Sequence, residues 1–195
     1  MSRWARFVAL VALIATGTPA LPEDGGLVSL VPWKVLQPDE VITSPLVLFW
    51  IPASPDAMRR SAMLTSDDLT QFSERCVAMR VVRFDDDTRL AKLQVEEDLP
   101  IAVLADRDGN ILGTVKPRQG RLSVSEVEGL VRDELDARES EAETLLDEAR
   151  KLAEHGDVEG AQELYERVAE ARCLCPRQAK TAAKALKKYL GVRRR

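Results

Sequence analysis

The chain has 195 residues, 45% of them apolar and 31% charged, with a formal net charge of −4. That is the make-up of globular material with an ordinary core, and it excludes low-complexity, collagen-like and disulfide-dense classes. Removing residues 1–20, which hold two arginines and no acid, takes the charge to −4 − 2 = −6, which disfavours nucleic acid as a partner.

Arg3 and Arg6 precede an apolar run from Phe7 to Ala15, and the small-residue stretch Thr16 to Ala20 follows. A basic start, a short apolar centre and a small-residue end read as a secretory signal, cleaved near Ala20, so the protein is expected in the periplasm or outside the cell. Nine apolar residues are too few to span a bilayer, and no transmembrane span is expected in the mature chain. An uncleaved anchor and a buried N-terminal helix are the competing readings. Pro22, Pro32, Pro38 and the Gly25–Gly26 pair make residues 21–40 a linker or first element. It should join the fold near Trp33, whose ring would plug the core or act as a lid.

Pro45 to Trp50 is a continuous apolar run and reads as a buried strand. Ala57 to Thr65 and Ser66 to Glu74 read as two short helices, the second capped by Ser66 or Asp67. Val77 to Phe84 alternates and reads as a strand, Thr88 to Val95 as a turn or two of helix, and Leu99 to Leu104 as a third strand. Asp108–Gly109 is a tight-turn signal leading into Asn110 to Val115. Ser123 and Glu126 form a capping box that opens a helix. No glycine or proline lies between Leu130 and His155, so that helix can run from Val124 to Glu154, about 46 Å. Its middle, Asp133 to Glu143, is almost wholly polar and would bridge solvent.

This order of strands and helices resembles thioredoxin. Phe49–Trp50 matches the family's Phe-Trp, and Leu99–Pro100–Ile101 resembles its cis-proline loop. The resemblance covers about Val41 to Leu135. It implies an α/β domain over residues 41–135, a central mixed sheet flanked by helices. The family's Trp-Cys-x-x-Cys is missing: the chain reads Trp50, Ile51, Pro52, Ala53, Ser54, Pro55, Asp56, Ala57. Ungapped, the two cysteine positions fall on Ser54 and Ala57; slipped by one, they fall on Ala53 and Asp56. The family's buried carboxylate falls on Leu48. Exchange needs a thiolate to attack a disulfide, and serine cannot supply one. The resemblance therefore implies a redox-inactive scaffold that keeps the substrate groove, with Trp50, Ser54, Pro55, Asp56, Leu99 and Pro100 facing an extended peptide. Asp56 would favour basic segments. The competing expectation is that the proline-rich loop has collapsed over the groove, or that the stretch around Trp33 fills it.

From Glu143 to Pro176 the chain resembles a tetratricopeptide repeat. Leu145, Ala149, Leu152, Gly156, Ala161 and Tyr165 stand at the signature spacings of its 34 residues. Gly156–Asp157 is the expected interhelix turn. The repeat's proline arrives three residues late, at Pro176. A third helix would place Ala179, Ala182, Ala183, Leu186 and Leu190 on one face and end at Gly191. A single repeat buries little core alone, so residues 136–195 must pack on the first domain, on the third helix or on another chain. Between Asp133 and Glu170 there are fourteen acidic and four basic residues; from Ala171 to Arg195 there are nine basic and no acidic ones. Either the basic helix folds on the acidic hairpin, or Lys187, Lys188 and Arg193 to Arg195 touch an anionic surface.

Cys76, Cys173 and Cys175 are an odd set, which leaves one thiol over. Cys76 reads as a small buried hydrophobe. Cys173 and Cys175 read as packing residues, as a redox pair, or as half of a metal site lacking partners beyond His155. Asp85 to Asp87 reads as a solvated strand end, and Asp106 to Gly109 as a turn. No motif calls for a cofactor or metal. Three functions compete: a non-enzymatic module that binds a protein or peptide partner, a thiol–disulfide oxidoreductase working through Cys173 and Cys175, and a structural subunit.

Overall fold

The computed structural model describes residues 29–96 and 98–192, with side chains to residue 188. The signal-like segment, the Leu190 side chain and the Arg193 to Arg195 tail lie outside the described residues. There are five strands among the described residues: β1 (Lys34–Val35), β2 (Leu46–Ile51), β3 (Val77–Val81), β4 (Ile101–Asp106) and β5 (Ile111–Val115). The helices are α1 (Pro55–Arg59), α2 (Asp67–Glu74), α3 (Asp87–Lys92), α4 (Val124–Glu154), α5 (Val158–Glu170) and α6 (Pro176–Val192).

β2 is apolar throughout and buried at every position but Phe49. Such a run fits the centre of a sheet covered on both faces. The sheet order is β1-β3-β2-β4-β5, with β1, β3 and β2 parallel and β4 and β5 antiparallel. Alternation then sorts the side chains. Leu46, Leu48 and Trp50 join Val77, Met79 and Val81 on the face covered by α2 and α4. Ile51, Val82, Ile101 and Val103 join Leu90 and Leu93 on the face covered by α3. This is a thioredoxin-like fold with a C-terminal helical extension.

Caps explain most boundaries. Ser66 Oγ accepts the Leu69 N–H at 3.0 Å and starts α2. Asp86 caps α3 and pairs with Arg89 at 3.3 Å, Asp85 pairs with Arg83, and Asp87 lies in the first turn of α3, so two of the three aspartates are engaged locally. Asp106 accepts from the Asp108 and Asn110 N–H groups, and Gly109 takes a φ of 85°, which closes the β4–β5 turn. The expected helix from Ala57 to Thr65 breaks in two. Arg60 ends α1, and Ser61 turns its hydroxyl to the Met63 N–H at 3.2 Å, starting a 3₁₀ turn at Ala62–Leu64 instead. The capping box at Ser123 is half formed, because Glu126 pairs with Arg118 at 3.0 Å. The Leu99–Pro100 peptide is cis, as the resemblance implied.

α4 runs unbroken from Val124 to Glu154, as its sequence predicts. Its first half buries Val127, Val131 and Leu135; its second half buries Ala142, Leu146 and Ala149 against α5 and α6. Gly156, at φ 86°, and Asp157, which caps α5, make the interhelix turn. α6 packs through Ala179 and Ala182 and continues past the expected stop at Gly191 to Val192. Among the described residues no ion pair joins α6 to the acidic helices. Its packing is apolar, with a Gln178–Glu143 hydrogen bond of 3.1 Å at the edge.

The polar middle of α4 does not bridge solvent freely. Arg75, at the end of α2, donates from Nη2 to Glu139 and, at 2.6 Å, to the Leu174 carbonyl in the α5–α6 turn. Beside it, Cys76 and Cys173 form a disulfide, with Cα atoms 5.8 Å apart and 97 residues between them in sequence. This corrects two expectations: Cys76 is not merely a small hydrophobe, and Cys173 pairs with it rather than with Cys175. Cys76 also has a φ of 59° directly after the α2 C-cap. A left-handed residue there is usual, but a side chain costs about 1–2 kcal/mol.

Two stability outcomes are expected. Cys76→Ser should lower the unfolding free energy by about 4 kcal/mol, because the bridge closes a long loop. Cys76→Gly should lose about 1 kcal/mol less, since glycine relieves the left-handed residue. Urea unfolding under oxidising conditions reads both, and equal losses would argue against the strained turn. Ala161 is fully buried in α5, so Ala161→Asp should cost about 3 kcal/mol or more by burying a charge without a partner. An unchanged urea midpoint would show that this face does not seal the extension.

Candidate functional site

The end of β2, α1, the 3₁₀ turn, the cis-proline loop and the chain entering α4 surround a cleft of about 550 Å³. That is within the usual range for ligand sites. Two of the sequence-predicted groove residues, Trp50 and Pro100, line it. Ser54, Pro55, Asp56 and Leu99 do not. Ser54 accepts the Ala57 N–H at 3.1 Å and caps α1, so its role is local. Pro55 is the exposed first residue of α1. Asp56 is exposed and pairs with Arg59 at 3.0 Å, outside the cleft. Asp56, which was expected to favour basic segments, therefore stands outside the cleft wall. Ala57, one of the two positions that the ungapped register assigns to a cysteine, lines the cleft.

Sequence reasoning missed Arg60, Ser61 and Arg121. α1 ends at Arg59, and the short turn that follows brings Arg60 and Ser61 onto the wall. Arg121 arrives from a bend in which Arg118 and Arg121 exchange backbone hydrogen bonds of 2.8 and 3.1 Å, with Gly120 at φ 71°. No hydrophobic period marks such a bend, so nothing in the sequence links residue 121 to residue 60. Both arginines are exposed, and neither pairs with a carboxylate among the described residues.

Trp50 is 1% exposed. Its ring packs against Trp33 at 5.3 Å between centroids, and Trp33 donates its own Nε1–H to the Met63 carbonyl at 2.7 Å. Trp33 thus backs the site as a core plug and leaves the cleft open. Trp50 Nε1, by contrast, is buried without an acceptor among the described residues. A buried donor left unmade costs about 1–3 kcal/mol.

The cysteines lie elsewhere, at the seam between domain and extension. Cys175 is the free one and is 1% exposed. Burial pushes its thiol above the ordinary range, and the Glu139 carboxylate adds to this. The reactive species is the thiolate, so this sulfur is held in its unreactive form at neutral pH. Among the described residues no group of three His, Cys, Asp or Glu side chains could hold a metal ion. No helix there is long and apolar enough to cross a membrane. The chain matches no family model and no curated protein.

Iodoacetamide at pH 7.5 should leave Cys175 unmodified in the folded protein and label it once the chain is denatured without reductant. Reduction before labelling should raise the count from one to three. Because the folded thiol titrates above the unfolded one, raising the pH should unmask labelling later in the native protein than in the denatured one. Rapid labelling at pH 7.5 would show the sulfur to be accessible.

Proposed function

We propose that this protein is an exported, redox-inactive thioredoxin-like module that binds a protein or peptide partner through the cleft beside Pro100. The observation that carries this reading is the cleft itself. It lies beside the position at which the resemblance places catalytic thiols: Ala57, one of those two positions, lines its wall together with Trp50 and Pro100. Chain outside the β4 ladder, which ends at the Ile51–Ile101 pair, runs past it at Leu99 and Pro100, where a partner strand can add main-chain hydrogen bonds. The helical extension, which resembles a tetratricopeptide repeat, supplies a second surface, and the signal-like N-terminus sets an address outside the cytoplasm. The oxidoreductase alternative through Cys173 and Cys175 is disfavoured: Cys173 is bridged to Cys76, and Cys175 is buried with a raised thiol.

A photo-crosslinking side chain at exposed Ala62, on the cleft wall, should give a discrete adduct in cell-envelope preparations. The same group at exposed Lys92, on α3, should give none. Insulin reduction by the purified protein should stay at the rate without protein. Adducts from Lys92 but not Ala62 would move the binding surface, and turnover of insulin would overturn the redox-inactive reading.

A further inference from the structure

Every polar side chain on the cleft wall is a hydrogen-bond donor, and none is a carboxylate. Arg60 and Arg121 carry charge; Ser61 accepts from the Met63 N–H and keeps its own proton to give; the Trp50 indole N–H is buried behind the wall without an acceptor among the described residues. The nearby acids are engaged elsewhere, Asp56 by Arg59 and Glu126 by Arg118. α4 starts at Val124 on the same wall, so the positive end of a 31-residue helix dipole adds to the field. The remaining surface is apolar, from Pro52, Ala57, Leu122 and Val124.

A wall of donors over an apolar floor fits a group that only accepts and is carried on a short hydrocarbon stem. We propose that the cleft selects an acidic side chain, glutamate or aspartate, from an extended peptide. The arginines hold the charge, the Ser61 hydroxyl donates to a carboxylate oxygen, and the methylenes lie on the apolar floor beside Trp50. This specificity rests on the partner-binding reading above and narrows it. It reverses the preference for basic segments expected from Asp56.

The test is selection of a displayed random heptapeptide library on the immobilised full-length protein. Such peptides have no free C-terminus, so only side-chain carboxylates are sampled. Selected sequences should be enriched in Glu or Asp at one position. A synthetic, amidated peptide of that sequence should bind at least tenfold more tightly than its Gln or Asn counterpart. It should also shift the Trp50 indole N–H resonance, assigned by its loss in Trp50→Phe. The doubly substituted Arg60→Gln, Arg121→Gln protein should lose the enrichment at an unchanged melting temperature, since both residues are exposed. Selection that is competed by crosslinking at Ala62 but shows no acidic preference would overturn the carboxylate proposal and leave partner binding standing. No selection above empty phage would overturn both.

Discussion

The apolar stripe of α4 is the constraint on which both halves of the molecule depend. Val127, Val131 and Leu135 seal one face of the sheet, and Ala142, Leu146 and Ala149 then form the floor of the helical extension. The two sets share one rigid element, so neither half can rotate without breaking the other's core. Between Leu135 and Ala142 the stripe lapses for two turns. An uncovered helix of this length would be free to bend there, and the chain fills the lapse with Arg75. Its guanidinium joins Glu139 on α4 to the Leu174 carbonyl in the α5–α6 turn, and the Cys76–Cys173 bridge fixes the same corner covalently. Where hydrophobic burial runs out, a charge-assisted contact and a covalent one take over.

That corner accounts for the division of labour among the cysteines. Cys173 and Cys175 flank Leu174, whose side chain is buried and whose carbonyl is held by Arg75. With Leu174 anchored, Cys173 reaches back to the end of α2, while Cys175 enters the core of the extension at the start of α6. A Cys-x-Cys bridge would have to undo both the anchor and the core contact. Pairing across 97 residues also restrains far more of the unfolded chain than a link over one residue.

How much of this could be read in the sequence differs from element to element. β2 was legible because a six-residue apolar run has few other destinations, and α4 because Ser123 opens it and no glycine or proline interrupts it from Leu130 to Glu154. Ser66, Ser123 and Asp157 announced helix starts by their own chemistry. The two-residue β1 gave no signal: Lys34 and Val35 are both exposed, and only pairing with Arg80 and Val81 defines the strand. The break at Arg60 was hidden because Ala57 to Leu64 is helix-prone throughout; a hydroxyl choosing a nearer N–H decided it. The disulfide was invisible for the same reason that it stabilises, since its halves lie far apart in the chain. At the cleft, Trp50 and Pro100 could be placed by family likeness. Arg60 and Arg121 could not, because each arrives through a bend whose geometry no residue period records.

On the proposed reading, the cleft keeps a binding groove where the resemblance places sulfurs. In an exchange site the thiolate supplies the bonding partner, and the surrounding groups need only tune its pKa. Here the positions that the resemblance assigns to thiols hold a capping hydroxyl and a methyl group, neither of which can exchange with a disulfide. Affinity must come from non-covalent contacts. Those need fixed donors, an apolar floor and exclusion of water from at least one of them. Trp33, packed at a tilt against Trp50 and tied to Met63, holds the indole in place from behind. The same packing leaves the Trp50 N–H without an acceptor among the described residues. A buried donor left unmade costs the free protein about 1–3 kcal/mol, and a rigid indole beside the cleft is what the proposed partner-binding role calls for.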